Sequence, residues 1–204
     1  MATRTITKPR GRPNNRFGDR RIEVLRTAAR VFSDLGFRQA TLEDVARELG
    51  MTRAALYHYS PSKDALLTEC GDIARQELME ALGHSRGEAD GRARIAAFFR
   101  RYAAIVSEDF GRCFVLTDFS EMAQDERETT RKAQLALGKA VAAMIEEGMA
   151  DGSVRPCKPV VTSRLLFAAF NGVARLPIDP ARTPPSEMAE DFLNVLFEGL
   201  IPRG

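Results

Sequence analysis

Cysteine and histidine are both scarce in this chain. Cys70, Cys113 and Cys157 are odd in number and far apart, which fits neither a disulfide framework nor a zinc site. Buried, inert thiols are the plain expectation. Cys157 stands beside Arg155 and Lys158, whose charges favour a thiolate, so a redox role is the sharper alternative there. The two histidines, His58 and His84, lie far from any metal-binding spacing. No H-E-x-x-H pair, nucleophile elbow, phosphate loop or dinucleotide fingerprint is present. No catalytic residue, metal ligand or cofactor is therefore assigned. No apolar run approaches the ~20 residues of a membrane span. The N-terminus is basic without the apolar core of a signal peptide, so a cytoplasmic location is expected, with no membrane partner.

What is present is an asymmetry of charge. The 204 residues carry a net charge of only +2, yet residues 1–63 hold 13 Lys and Arg against 6 Asp and Glu, a net of +7. Residues 64–204 hold 17 against 22, a net of −5. A basic front on an acidic body points to an anionic partner, and nucleic acid is the first candidate.

Residues 1–18 contain five basic residues and no acid, with Pro, Gly, Asn and Thr dominant. This composition predicts a disordered arm. Its stretch Lys8 to Pro13, KPRGRP, resembles the core of an AT-hook. Arg10 and Arg12 flank a glycine that lets an extended chain enter a narrow A·T-rich minor groove. The alternative is a basic tail with only screened attraction to phosphates.

Helical spacing dominates the rest, so the fold class expected is all-α, about nine helices. Ile22, Leu25, Ala29 and Phe32 line one face of a first helix from about Asp19 to Leu35. Gly36 ends it as a left-handed cap, and Phe37 folds back onto the core. Thr41 and Asp44 form a capping-box pattern for a second helix with Leu42, Val45, Ala46 and Leu49 inward. Gly50 stops it, and Thr52 caps a short third helix, Arg53 to about Tyr59. Pro61 closes that element and Ser62 caps the fourth. Two helices joined by a tight Gly-containing turn describe a helix-turn-helix over residues 19–63. Ala54 and Ala55 let the backbone approach base edges. Arg53 can bond guanine, and the Tyr57 and Tyr59 hydroxyls can bond phosphate oxygens. His58 faces either a base or a phosphate. Lys63 opposes the macrodipole of its own helix, which is sensible if a phosphate lies there. Thr41 and Thr52, at the helix starts, complete the candidate DNA-binding set.

These residues resemble the TetR family of bacterial transcriptional regulators. The match covers about Arg20 to Leu67: AARVFSDLGF, then TLEDVARELGMTRAALY, then PSKDALL. The resemblance implies an all-helical homodimer that binds a near-palindromic operator and releases it when a small molecule binds. It also implies that Tyr57 and Lys63 contact phosphate. Two positions depart from the family pattern. Ser60 stands where a large apolar residue is usual, so its site holds either a small void or a hydroxyl bonded to backbone. Ala54 replaces a common glycine.

Residues 64–204 read as a helical ligand-binding and dimerisation domain. A fourth helix runs from Ser62 to about Gly83 and a fifth from Gly91 to about Asp109. The run CFVLTDFSEM, residues 113–122, gives a sixth. Gln124–Ala150, Val160–Leu176 and Ser186–Ile201 give the last three, with prolines marking the final loop. The last two helices are apolar nearly all round, which predicts full burial. Burial against a second copy is the simpler account, with Phe167, Ala168, Phe170, Phe192 and Leu196 as candidate interface residues. An intramolecular core is the alternative. The resemblance places a ligand cavity between the fourth and seventh helices. Candidate lining residues are Cys70, Phe99, Tyr102, Phe114, Asp118, Met122 and Met144, and they suit a mainly hydrophobic small molecule. The function expected is a ligand-responsive repressor on double-stranded operator DNA. A non-catalytic helical adaptor would explain the apolar helices but not the +7 front, and a helical enzyme lacks a motif.

Overall fold

The computed structural model describes residues 16–175 and 184–199, without the side chains of Arg16, Phe17 and Phe119. Arg10 and Arg12 lie outside the described residues. Among the described residues there are nine α-helices and no strand: α1 Arg16–Leu35, α2 Leu42–Glu48, α3 Arg53–Leu56, α4 Lys63–Ser85, α5 Gly91–Ser107, α6 Asp109–Leu116, α7 Gln124–Asp151, α8 Pro159–Val173 and α9 Pro185–Glu198.

The local stop and start signals explain the first three helices. Gly36 and Gly50 sit at φ +80° and +63°, conformations that end α1 and α2 without a Cβ penalty. The capping box of α2 is complete: Thr41 Oγ1 accepts from the Asp44 amide at 3.2 Å, and the Thr41 amide donates to the Asp44 carboxylate at 2.9 Å. Thr52 and Ser62 cap α3 and α4 by accepting from Ala55 N at 3.2 Å and Ala65 N at 3.0 Å. The third helix is shorter than its spacing suggested. After Leu56 the turn tightens, with His58 N on Ala55 O and Tyr59 N on Leu56 O.

α1 buries Val24, Leu25, Ala28, Ala29 and Phe32, whereas Ile22 is exposed. The apolar stripe expected at Ile22 is thus rotated, because α1 packs against α2, α4 and α6 together. Phe37 does return to the core, edge-on to Phe32 at 5.2 Å between centroids. Ser60 is buried, and its hydroxyl donates to the Ser62 carbonyl at 3.1 Å. The departure from the family pattern is therefore met by a backbone partner rather than a void.

α4 passes from this unit into the body, where α5 packs against α4, α6, α7, α8 and α9. α5 and α7 cross closely at two glycines: a Cβ on Gly91 would lie 2.3 Å from backbone atoms of Gly148. The sixth helix begins and ends earlier than the apolar run suggested. It closes at Leu116, and Asp118 then accepts from the Ser120 amide at 2.7 Å, opening a separate 3-10 turn, Phe119–Glu121. A cluster of Phe98, Phe99, Tyr102, Phe167 and Phe170 fills the centre of the body. Among the described residues no helix is long and apolar enough to cross a membrane.

Candidate nucleic-acid interface and effector cavity

The outward face of the helix-turn-helix carries Thr52, Arg53, Ala54, Tyr57 and His58, all exposed, with Ala55 half-buried beside them. Leu56, fully buried, anchors the opposite face. The two N-cap threonines use their hydroxyls on their own helices, and Thr41 also bonds the Asp44 carboxylate through that hydroxyl at 2.6 Å. Tyr59 does not share the outward line. It is half-buried against the core, and its carbonyl accepts from Arg21 at 3.1 Å. Arg21 in turn pairs with Glu69 of α4 at 2.6 Å, so one α1 guanidinium ties the end of α3 to α4.

Arg53 is already engaged. Its guanidinium pairs with the Glu43 carboxylate of α2 and donates to the Tyr57 hydroxyl at 2.9 and 3.2 Å. The Tyr57 hydrogen bonds, followed by the Glu43 charge, raise the Arg53 pKa above its ordinary value. Glu43 was not legible as a partner from sequence, since ten residues and a turn separate it from Arg53. Lys63 is engaged as well. Its ammonium donates to Phe37 O at 2.6 Å and Ala40 O at 3.0 Å, and lies 3.4 Å from Arg38 O. In this conformation it fastens the α1–α2 connection rather than standing free for a phosphate.

The body encloses a cavity of about 1020 Å³ among α4, α5, α6, α7 and α8. Leu78, Tyr102, Phe114, Thr117, Leu137, Ala142 and Ser163 form its buried floor. Exposed residues of α7 and α8, with Asp118 after α6, form its rim. Tyr102 donates to Asn171 Oδ1 at 2.5 Å, while the Thr117 and Ser163 hydroxyls donate to the carbonyls of Cys113 and Gly138. Burial pushes the Tyr102 phenol pKa up, so it stays a neutral donor. Asp118 is held below the usual carboxylate range by its hydrogen bonds from Ser120.

Three of the expected lining residues, Tyr102, Phe114 and Asp118, lie on this cavity. The cavity does not reach the other four. Cys70 is buried against α1, with its thiol on Leu25 O at 3.4 Å, and burial raises its pKa. Phe99 stacks on Phe170 at 4.6 Å, and Met122 and Met144 are buried core. Cys113 is also buried, its thiol pKa pushed up to about 11. Cys157 is half-buried and free.

The candidate interface residues divide as well. Phe167 and Ala168 line the cavity. Phe170 is 1% exposed within its own chain, so it has no area left to give a partner. Phe192 and Leu196 are half-buried on the same core. The exposed large apolar side chains of these two helices are Val160, Val161, Leu165 and Val195. Periodicity marks a helix as apolar all round but does not say which side its own chain covers.

A donor-rich helix-turn-helix, continuous through α4 with a helical body that holds a ligand-sized cavity, defines a transcription regulator with an effector site. The chain matches the family described as bacterial regulatory proteins, tetR family, over residues 24–70, and the tetracyclin repressor-like C-terminal domain over residues 88–200. It belongs to the TetR family and is a ligand-responsive DNA-binding transcriptional repressor, not an enzyme. It is 27% identical over 196 residues to the HTH-type transcriptional repressor KstR2 of Rhodococcus jostii RHA1, covering 89% of this chain and 91% of that one. The ketosteroid transcriptional regulator KstR2 of Mycobacterium tuberculosis shares the fold at a TM-score of 0.81 and 18% identity, over 90% of this chain and 96% of that one. AibR, solved with isovaleryl coenzyme A and operator DNA, shares it at a TM-score of 0.77 and 20% identity, over 87% and 98%.

Proposed function

We propose that the chain acts as a homodimer in the cytoplasm and leaves a near-palindromic operator when a mainly apolar small molecule enters the cavity. The observation that carries this reading is that two helices span both sites. α4 starts under the helix-turn-helix at Lys63 and reaches the cavity at Leu78, about 22 Å away at 1.5 Å per residue. α6 lines the cavity with Phe114, Val115 and Leu116, while its first turns face α1. There Asp109 meets Arg26 at 3.7 Å and Arg112 meets Asp34 at 2.9 Å. A ligand that favours one setting of α4 and α6 changes the angle of α1 and hence the spacing of the two α3 helices of a dimer.

Residues 19–63 form the DNA-binding unit in this reading and residues 64–204 the ligand-binding and dimerisation unit. The exposed apolar stripe of Val161 and Leu165 on α8, with Val195 on α9, supports a second copy as its cover. Arg10 and Arg12 reach the minor groove beside the operator.

Thermodynamic coupling of this kind is typically ~1–3 kcal/mol, and it is reciprocal. Operator titrations with and without effector, paired with effector titrations with and without operator, test it. Equal factors in both directions are expected. An effector that binds the cavity and leaves operator affinity untouched would remove the reading.

A further inference from the structure

The cavity's floor and rim differ in chemistry. The floor is apolar except for the Tyr102–Asn171 pair and the Thr117 and Ser163 hydroxyls, which donate to backbone carbonyls. The rim carries four cations, Arg131 and Lys139 on α7, Arg164 on α8 and Arg175 in the turn after α8, and all four are exposed. Among the described residues, no side-chain hydrogen bond or ion pair within 4 Å engages any of them, although Arg131 also lies in the field of Glu128 on α7. Several arginines elsewhere in the body are paired, Arg75 with Glu126, Arg94 with Glu147, Arg100 with Glu190 and Arg112 with Asp34, although among the described residues Arg86 and Arg155 are not. Among the described residues the lining acids are Asp118 and Glu146, and Asp118 is engaged by Ser120. The lining therefore carries a net of +2 inside a region, residues 64–204, whose net is −5.

The cations are also arranged. Ser163 donates to Gly138 O at 3.0 Å and joins α8 to α7 at one level. Lys139 and Arg164, each the next residue, flank that level from opposite helices. Because the helices run antiparallel, Arg131 and Arg175 lie farther along in the same direction. At 1.5 Å per residue Arg131 is about 12 Å from Lys139, and Arg175 lies just beyond the end of α8. Like charges repel one another, and low-dielectric walls focus their field into the cleft. An anion seated there relieves that repulsion and gains charge-assisted hydrogen bonds.

We infer that the effector is an amphiphile: an apolar chain or ring on the floor and an anionic group, carboxylate or phosphate, on the rim. This rests on the effector role of the cavity and adds the charge of its ligand. The sequence already placed these residues at helical spacing, 131, 135, 138, 139, 142 and 146, but not around a cavity.

The test is calorimetric titration of the full chain with decanoyl coenzyme A, decanoate, decanol and coenzyme A. At least one of the two anionic amphiphiles should bind tenfold or more tighter than decanol and also tighter than coenzyme A alone. The decanoate and decanoyl coenzyme A arms separate a carboxylate from the phosphates of coenzyme A as the source of negative charge. Lys139→Glu with Arg164→Glu should weaken that binding tenfold or more and leave decanol unchanged, whereas Lys132→Glu, off the rim, should change neither. Arg131→Glu with Arg175→Glu is the second variant if the first fails to fold. Decanol binding as tightly as the anions, coenzyme A alone matching its decanoyl ester, no binding by either anion, or charge reversal without effect would each overturn the inference. Operator release measured in the same samples keeps the two readings apart. Release by decanol alone sinks only the anionic inference, and anion binding without release sinks only the effector role.

Discussion

The ammonium of Lys63 donates to the carbonyl of Phe37 at 2.6 Å and lies 4.3 Å from the centroid of the same residue's ring. One cation in the first turn of α4 thus joins the α1–α2 connection by a charge-assisted hydrogen bond and a cation–π contact, with Ala40 O as a further acceptor. These acceptors offset the unfavourable placement of a positive charge at a helix N-terminus.

Lys63→Ala should therefore lower folding stability by about 1.5–3 kcal/mol as well as weaken all duplexes alike. Chemical denaturation and salt-dependent DNA titration of one variant separate the effects. Unchanged stability with a salt slope shallower by about one unit would make Lys63 a phosphate contact and nothing more.

Glu43 and Arg53 set up a competition. An operator base must displace the Glu43 carboxylate to bond the guanidinium. Glu43→Gln should raise affinity for random duplex more than for the operator and so narrow the specificity ratio. Arg53→Ala should cost about 1–3 kcal/mol at the operator and relax one base pair per half-site. Anisotropy titrations against single-substituted operators measure both. If Arg53→Ala weakens every sequence equally, Arg53 positions the protein and does not read it.

Deleting residues 1–18 should weaken operators with A·T-rich flanks more than those with G·C-rich flanks, because narrow minor grooves attract arginine. Equal losses on both would reduce Arg10 and Arg12 to a basic tail.

The ion pair between Arg75 of α4 and Glu126 of α7 is buried, at 2.6 Å with side chains 10% and 8% exposed. Thr130 shares the same guanidinium at 3.0 Å. Gly71 leaves the room, since a Cβ there would lie 3.0 Å from the Arg75 guanidinium. Glu126→Ala leaves the Arg75 guanidinium with its ion pair to Asp72 at 2.7 Å and with Thr130, and should cost about 1–3 kcal/mol. Arg75→Met with Glu126→Leu should restore most of that in urea denaturation. A double variant as unstable as Glu126→Ala would mean that the charges themselves, and not their pairing, hold α4 to α7.

The sequence by itself determined where α2, α3 and α4 begin and where α1 and α2 end. Thr41, Thr52 and Ser62 cap within three residues of themselves, and Gly36 and Gly50 stop helices through their own φ, so these signals need no partner from elsewhere. The outward set Arg53, Ala54, Tyr57 and His58 follows from that local frame, and so does the family. Tertiary structure alone decided what each face and charge meets. It turned Lys63 toward a carbonyl 26 residues away, paired Arg53 with Glu43 and drew Tyr59 into the core. It also closed α6 at Leu116, buried Phe170 and assigned Tyr102, but not Phe99, to the cavity. Helical periodicity states which residues share a side of a helix. Which neighbour covers that side depends on packing among helices distant in sequence, and a long cation finds its acceptor only once those helices are in place.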